Sequence, residues 1–162
     1  MNGIDRRTFM AASAATAAAL APAAAHAQAG DGPGIAQVKG LYAAFGKRDI
    51  AAIVAALAPD VDWTVVGRAS DVPTFGTRKG PAAVQEFFAL VDSSYTFTEF
   101  SPKEFYAAGD KVFVLGHYAL TVKKTGKSMA SDWLHVFTIQ GGKVTAFREF
   151  LDTARAAEAF RS

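Results

Sequence analysis

A pair of adjacent glycines near the C-terminus separates two runs in which apolar and polar residues alternate. The runs cover 132–140 and 143–152, with Gly141 and Gly142 between them. Adjacent glycines suit a primed two-residue turn, because both central residues of that turn need a positive φ. The sequence therefore predicts a tight β-hairpin whose register follows by counting outward from the turn.

Counting outward sorts the hairpin side chains onto two faces, because successive side chains of a strand point to opposite sides. A regular register places Leu134 opposite Glu149. One predicted face combines two carboxylates with aliphatic and aromatic residues: Asp132, Leu134, Val136, Phe147, Glu149 and Leu151. The other carries Trp133, His135, Phe137, Arg148 and Phe150. Both faces are largely apolar, so we expect both to be covered, and we expect the chemistry on the first.

The rest of the sequence predicts an α+β domain. Apolar residues at helical spacing predict three helices before the main sheet, over 35–45, over 50–57 and from Pro81. Strands are expected over 61–65, 95–106, 111–123 and 128–140, with a long loop over 67–80 and a last helix capped by Asp152 or Thr153. This order favours a curved mixed, mainly antiparallel sheet with helices on one face.

The N-terminus has the plan of an export signal. Arg6-Arg7 precedes an Ala-rich apolar run and a small-x-small cleavage site at 25–27. The paired arginines with Phe9 are typical of a twin-arginine signal, and an ordinary secretory signal is the alternative. We therefore expect a periplasmic or secreted protein that is not held in a membrane after cleavage. The expected divisions are a signal peptide (1–27), a flexible linker (28–34) and one folded domain (35–162).

Composition argues against several function classes. The chain has 17 basic and 15 acidic side chains and no basic run, which gives no electrostatic reason to expect nucleic acid as a partner. It has no cysteine, so a disulfide, a thiolate nucleophile and a cysteine metal site are impossible. No glycine-rich phosphate loop appears.

Several segments resemble the SnoaL-like branch of the nuclear transport factor 2 superfamily. They are Asp60-Val61-Asp62-Trp63, Gly80-Pro81-Ala82-Ala83-Val84, Gly142-Lys143-Val144 and Phe147-Arg148-Glu149-Phe150-Leu151-Asp152. The resemblance implies a cone, in which a curved sheet wraps around a pocket closed by three N-terminal helices, often as a dimer. The superfamily includes ketosteroid isomerase, scytalone dehydratase, limonene epoxide hydrolase, polyketide cyclases and members without known activity.

The resemblance also bears on individual residues. Segment 147–152 is similar to the epoxide hydrolases' Trp-Arg-Asp-Tyr-Phe-Asp, whose catalytic aspartate matches Glu149. Those enzymes also use an inward arginine and aspartate on an earlier strand, where this chain offers only His117 as an ionisable residue. The carboxylic acid that ketosteroid isomerase keeps protonated matches Val136 here.

We expect Glu149, His117 and Asp132 to be the catalytic candidates. Counting from the Thr125-Gly126 turn places His117 roughly 10 Å from Glu149 on the same face. A carboxylate among apolar residues is a candidate general base, and a nearby histidine can act as an acid or orient a water. The structural alternative is that Glu149 pairs with a cation such as Arg78, with His117 a core histidine. The expected pocket wall, which would contact a ligand, is Tyr42, Trp63, Leu134, Val136 and Phe147.

These features predict an acid–base isomerase, lyase or hydrolase that acts on a small hydrophobic molecule without a cofactor or metal. The alternatives are a non-catalytic binder of such a molecule and a purely structural dimer module. A large aromatic face on a small domain needs cover, so we also expect a homodimer. The face expected to form it carries Tyr118, Trp133, His135, Arg148 and Phe150.

Overall fold

The computed structural model describes residues 28–29 and 32–161, so the predicted signal peptide lies outside the described residues. The described elements are, in order, β1 (Gln28–Ala29), α1 (Pro33–Gly46), α2 (Ile50–Ala55), β2 (Leu57–Val65), β3 (Gly76–Lys79), α3 (Gly80–Ser94), β4 (Tyr95–Ala108), β5 (Lys111–Val122), β6 (Ser128–Gln140), β7 (Lys143–Leu151) and α4 (Thr153–Phe160). Two residues of the stretch expected to be a linker thus form β1, and α1 begins at Pro33. The predicted α+β class is confirmed.

All the described strands belong to one sheet, in the order β1-β4-β5-β6-β7-β2-β3. Every neighbouring pair is antiparallel except β2 and β7, which run parallel, so the sheet is mixed and mainly antiparallel as predicted. Strand β3 lies inside the stretch 67–80, which was expected to be a loop. This part of the prediction is wrong because β3 is a short edge strand of Gly-Thr-Arg-Lys, which has no apolar alternation to reveal it.

Helices α1 and α3 bury apolar residues against the sheet, and α2 packs against these two helices. In α1, Ile35, Val38 and Leu41 are buried at helical spacing. The carboxylate of Asp49 accepts a hydrogen bond from the backbone N–H of Ala52 and so caps α2 as predicted. Among the described helices, none is long and apolar enough to cross a membrane.

The Gly141-Gly142 turn forms as predicted. Both residues have positive φ, 56° and 75°, and Gln140 pairs with Lys143 across the turn. Both φ values are those of a type I′ turn, whose twist matches that of the two strands. The hairpin therefore begins in the expected register.

Beyond the turn the predicted register is wrong, because β7 contains a β-bulge. Ile139 pairs with Val144 but Thr138 pairs with Ala146, which leaves Thr145 as an extra residue. An extra residue moves every later side chain of its strand to the other face relative to the partner strand. The observed pairs are Phe137 with Phe147, Val136 with Arg148, His135 with Glu149, and Leu134 with Phe150.

Candidate functional site

The first three helices and the inner face of the sheet enclose an apolar cavity of about 90 Å³. Aromatic rings form most of its wall, and Trp63 on β2 stacks on Phe147 on β7 at 3.9 Å between ring centroids. The side chains that bring oxygen or nitrogen atoms to this apolar wall are Tyr42, Trp63, Tyr118, His135 and Glu149.

Glu149 and His135 lie side by side because the bulge in β7 makes them a cross-strand pair. His135 Nε2 is 3.7 Å from Glu149 Oε1, within ion-pair range but too far for a hydrogen bond. The His135 side chain is only 7% exposed, and the Glu149 side chain is 14% exposed. The site therefore places a carboxylate and an imidazole together in largely apolar surroundings.

Helix α1 fixes the other side of the imidazole. The Tyr42 hydroxyl lies 2.9 Å from His135 Nδ1. A carboxylate only accepts hydrogen bonds, so the proton of a neutral His135 is best placed on Nε2, which faces Glu149. Tyr42 then donates to Nδ1, and His135 presents an N–H towards the cavity.

Burial keeps the tyrosines of the site protonated. Desolvation, followed by the charge of Glu149, raises the pKa of Tyr42 well above its usual value. Desolvation is also the main cause that raises the pKa of Tyr118, and the charge of Glu149 and a hydrogen bond to Glu149 add to it. Both phenols are therefore neutral hydrogen-bond donors at any physiological pH.

Packing around His135 fixes the plane of its ring. The Trp133 indole stacks on the imidazole at 3.9 Å between centroids, with an interplanar angle of 22°. Trp133 can lie there because its partner across the strands, Gly116, has no side chain. A Cβ at Gly116 would lie 2.1 Å from Trp133 Cζ2. The absence of a side chain at Gly116 on β5 thus allows Trp133 to stack on the His135 ring and fix its orientation.

Two nitrogen atoms of the cavity lining, Trp63 Nε1 and His135 Nε2, are buried without a hydrogen-bond partner. A third such atom, Trp133 Nε1, belongs to the ring stacked on His135. Most buried polar groups in proteins are paired, and unpaired ones often mark functional sites. These N–H groups are suited to a ligand that brings an acceptor atom.

A second, smaller chamber of about 60 Å³ adjoins the cavity. Tyr118 and Glu149 line both spaces, so the carboxylate lies between them. In the second chamber Thr74 Oγ1 and Tyr95 Oη are 2.7 Å apart. Burial raises the pKa of Tyr95 to about 12. Glu149 thus borders two spaces. One is the mostly aromatic cavity, and the other is the second chamber, which contains the hydroxyl groups of Thr74 and Tyr95.

The cavity opens towards a groove of about 740 Å³ between α1, α2, α3 and the start of β4. Six side chains line both spaces: Tyr42, Phe45, Phe88, Val91, Phe97 and Phe100. The two spaces therefore adjoin.

The structure separates the three residues expected to be catalytic. Glu149 lies in the cavity, whereas His117 and Asp132 pair on the outer face of the sheet, with Nδ1 and Oδ1 2.7 Å apart. The Asp132 side chain is 89% exposed, and the hydrogen bond from His117 lowers its pKa. His117 and Asp132 share a face as expected, but the placement of Glu149 on that face is wrong, because the count across β6 and β7 omitted the bulge at Thr145.

The residues expected in the pocket wall divide in the same way. Tyr42, Trp63 and Phe147 line the cavity. Leu134 and Val136 lie on the outer face, in register with Phe150 and Arg148, so their expected place in the wall is corrected.

Arg78 does not pair with Glu149. Its guanidinium donates to the main-chain carbonyl groups of Pro73, Thr74, Phe75 and Gly76.

The surface expected to mediate dimerisation is also corrected. Tyr118, Trp133 and His135 are buried inside the domain, and only Arg148 and Phe150 of the five are exposed. Sequence reasoning missed Tyr118 and His135 as site residues. The available signal was that Trp133, His135 and Phe137 form an aromatic face of β6. Phe147 suits a position on this face better than one on the face that carries Val136.

Among the described residues, no group of three or more His, Asp or Glu side chains is arranged to hold a metal ion.

A curved sheet and helices around a small pocket with one carboxylate place the domain in the class of NTF2-like cone folds. The chain belongs to the SnoaL-like domain family, whose model matches residues 38–147.

Two solved structures and one further protein are similar to this chain. An NTF2-like protein from Burkholderia xenovorans LB400 is 31% identical, with a TM-score of 0.73 over 79% of this chain and 95% of that one. TerC, co-crystallised with polyporic acid, is 31% identical, with a TM-score of 0.72 over 81% of this chain and all of that one. An uncharacterised protein of Mycobacterium tuberculosis H37Rv is 27% identical over 76% of this chain and 92% of its own length.

Proposed function

We propose that this protein is a cofactor-independent acid–base enzyme, an isomerase, lyase or hydrolase, that acts on a small hydrophobic molecule. The observation that carries the proposal is Glu149, a largely buried carboxylate in an aromatic cavity beside the polar groups of Tyr118 and His135. Glu149 is the general base, and His117 and Asp132 on the outer face take no part in the proposed chemistry.

The proposed chemistry begins with the transfer of a proton to Glu149. The proton comes either from a substrate carbon or from a water that attacks the substrate. Negative charge then develops on a substrate oxygen, which the His135 Nε2–H stabilises by donating a hydrogen bond. The His135 ring is held before the reaction by the Tyr42 hydroxyl and by the stacked indole of Trp133.

The test is Glu149→Gln, which keeps the shape of the side chain and removes the base. Compounds extracted from protein purified from its own host supply candidate substrates, identified by mass spectrometry. We expect turnover to fall by about 100-fold or more, the scale of a positioned general base. Asp132→Asn is the matched control, because it changes an exposed carboxylate on the outer face. Undiminished turnover in Glu149→Gln contradicts the proposal.

A non-catalytic binder of a small hydrophobic ligand is the second candidate. The mostly aromatic wall of the cavity suits such a ligand, and TerC, whose structure is similar, was co-crystallised with polyporic acid. For such a protein, Glu149→Gln changes the affinity for the co-purified compound and no turnover is found in either form.

We also propose that the protein is exported and cleaved before Gln28, on the strength of Arg6-Arg7 and the small-x-small site. N-terminal sequencing of periplasmic protein is expected to begin at or next to Gln28. Replacing both arginines by lysine is expected to block export if the route is twin-arginine. Full-length protein retained in the cytoplasm contradicts export.

A further inference from the structure

We propose that the groove at the mouth of the cavity selects small apolar molecules with an anionic end, and that Arg48 and Lys123 bind that end. The inference rests on the proposed function in one respect, namely that the ligand enters the cavity through this groove. It adds a substrate class, an apolar body with one carboxylate or sulfonate-like group, and two residues that determine specificity.

The groove has the size and lining of a ligand site. Its volume of about 740 Å³ lies within the usual range for small-molecule sites, whereas the inner cavity of about 90 Å³ is smaller. Four phenylalanine rings, Phe45, Phe88, Phe97 and Phe100, line both spaces. A ligand can therefore place its leading part against Glu149 while its trailing part remains in the groove.

The charges at the rim of the groove are mainly positive. Its charged lining residues are Arg48, Asp92 and Lys123. Arg48 Nη1 lies 3.6 Å from Asp92 Oδ1, and these side chains are 85% and 69% exposed. Lys123 donates to the main-chain oxygen of Asp92 at 2.5 Å, so its ammonium charge is not neutralised by this contact. Two cations facing one exposed carboxylate leave net positive charge for a ligand.

The backbone at Arg48 supports a role for its side chain. Arg48 has a φ of 58° in the turn between α1 and α2, and it is the one non-glycine residue in the described chain with positive φ. This region favours glycine, because a Cβ is strained there. The backbone conformation at position 48 thus favours glycine. The arginine that is present instead places a guanidinium group at the rim of the groove.

The position of Glu149 explains why the anionic end stays at the rim. Two negative groups close together in an apolar cavity are unfavourable, and an anion deprived of water loses its solvation. Arg48 and Lys123 are exposed and line the groove but not the inner cavity, so an anion bound to them keeps part of its hydration. The arrangement orients the ligand with its uncharged end towards Glu149.

A pair of matched fluorescent probes tests the proposal. 8-Anilinonaphthalene-1-sulfonate and N-phenyl-1-naphthylamine share an apolar body, and only the first carries an anionic group. We expect the sulfonate probe to bind the wild-type protein about fivefold more tightly, the scale of exposed charge pairs. The preference is expected to weaken as salt concentration rises.

The informative variants are Arg48→Gly and Lys123→Met, singly and combined. The combined variant is expected to bind both probes equally, with unchanged affinity for the neutral probe. Arg48→Gly is also expected to hold or raise the melting temperature, because glycine relieves the backbone strain. Arg68→Met is the control, since it removes an exposed cation that pairs with Asp71 and does not line the groove. It is expected to leave the preference unchanged.

Three outcomes overturn the proposal. They are equal binding of the two probes to wild-type protein, no binding of either probe, and an unchanged preference in the combined variant. The assignment of Glu149 as the general base is tested separately, because Glu149→Gln is expected to keep the preference for the sulfonate probe. Undiminished turnover in Glu149→Gln with the preference intact refutes the base and leaves the groove assignment standing.

Discussion

The hydrogen bond between Tyr42 and His135 joins helix α1 to strand β6 inside the cavity. Because Nδ1 of His135 has this one partner, removal of the hydroxyl leaves a buried polar atom unpaired. We expect Tyr42→Phe to lower the free energy of unfolding by about 1–3 kcal/mol, the cost of such a group. The measurement is urea unfolding, with a lower midpoint at an unchanged m-value.

Tyr106→Phe is the matched control for this prediction. The Tyr106 hydroxyl donates to Glu104 Oε2 at 2.6 Å on an exposed part of β4, where water replaces the lost bond. We expect its unfolding midpoint to stay close to that of the wild type. Equal losses in both variants mean that the Tyr42 hydroxyl contributes nothing specific to the order of the site.

At the scale of elements, β5 and β6 approach closely where Gly116 faces Trp133. We expect Gly116→Ala to displace the indole, to destabilise the protein by about 1–3 kcal/mol as an overpacked core does, and to change the near-ultraviolet circular dichroism. Gly40→Ala is the control, because nothing lies within 4 Å of a Cβ at that helical position. It is expected to stabilise by about 0.4–1 kcal/mol. A harmless Gly116→Ala contradicts the close packing.

The hairpin shows what a sequence can and cannot predict at this scale. Gly141 and Gly142 are specific for the turn, because few other residues accept their φ values. Nothing comparable marks the bulge, since Thr145 is an ordinary strand residue. The available sign in the sequence is that Val144 and Phe147 are both apolar, although a regular strand places residues three apart on opposite faces.

The bulge also decides how much of the site was predictable. Glu149 was identified because the motif around it needs no register. His135 and Tyr118 were assigned to the opposite face, because the shift of one residue exchanges the partners of the whole strand. Contacts between Tyr42 and His135, 93 residues apart, depend on how α1 packs on the sheet, which no local pattern contains.

At the scale of the whole molecule, the outer face of the sheet presents an apolar row to solvent. Leu115, Leu134 and Phe150 are directly paired across β5, β6 and β7. Leu115 is 42% exposed and Phe150 is 40% exposed, unusual for large apolar side chains. The His117–Asp132 pair lies beside this row. This surface, rather than the predicted set that includes Trp133 and His135, is the one that needs cover.

We therefore predict a homodimer formed through this outer face. A second copy related by a two-fold axis places the same apolar row against itself, which suits an isologous interface. Light scattering after size exclusion is expected to give twice the monomer mass at micromolar concentration. Leu115→Asp puts a charge at the β5 end of the row, on its most exposed apolar side chain, and is expected to give monomers that remain folded by circular dichroism. Lys124→Asp, in the exposed turn between β5 and β6, is the control and is expected to remain dimeric. A monomeric wild-type protein rules out the dimer, and a dimeric Leu115→Asp variant moves the interface to another surface.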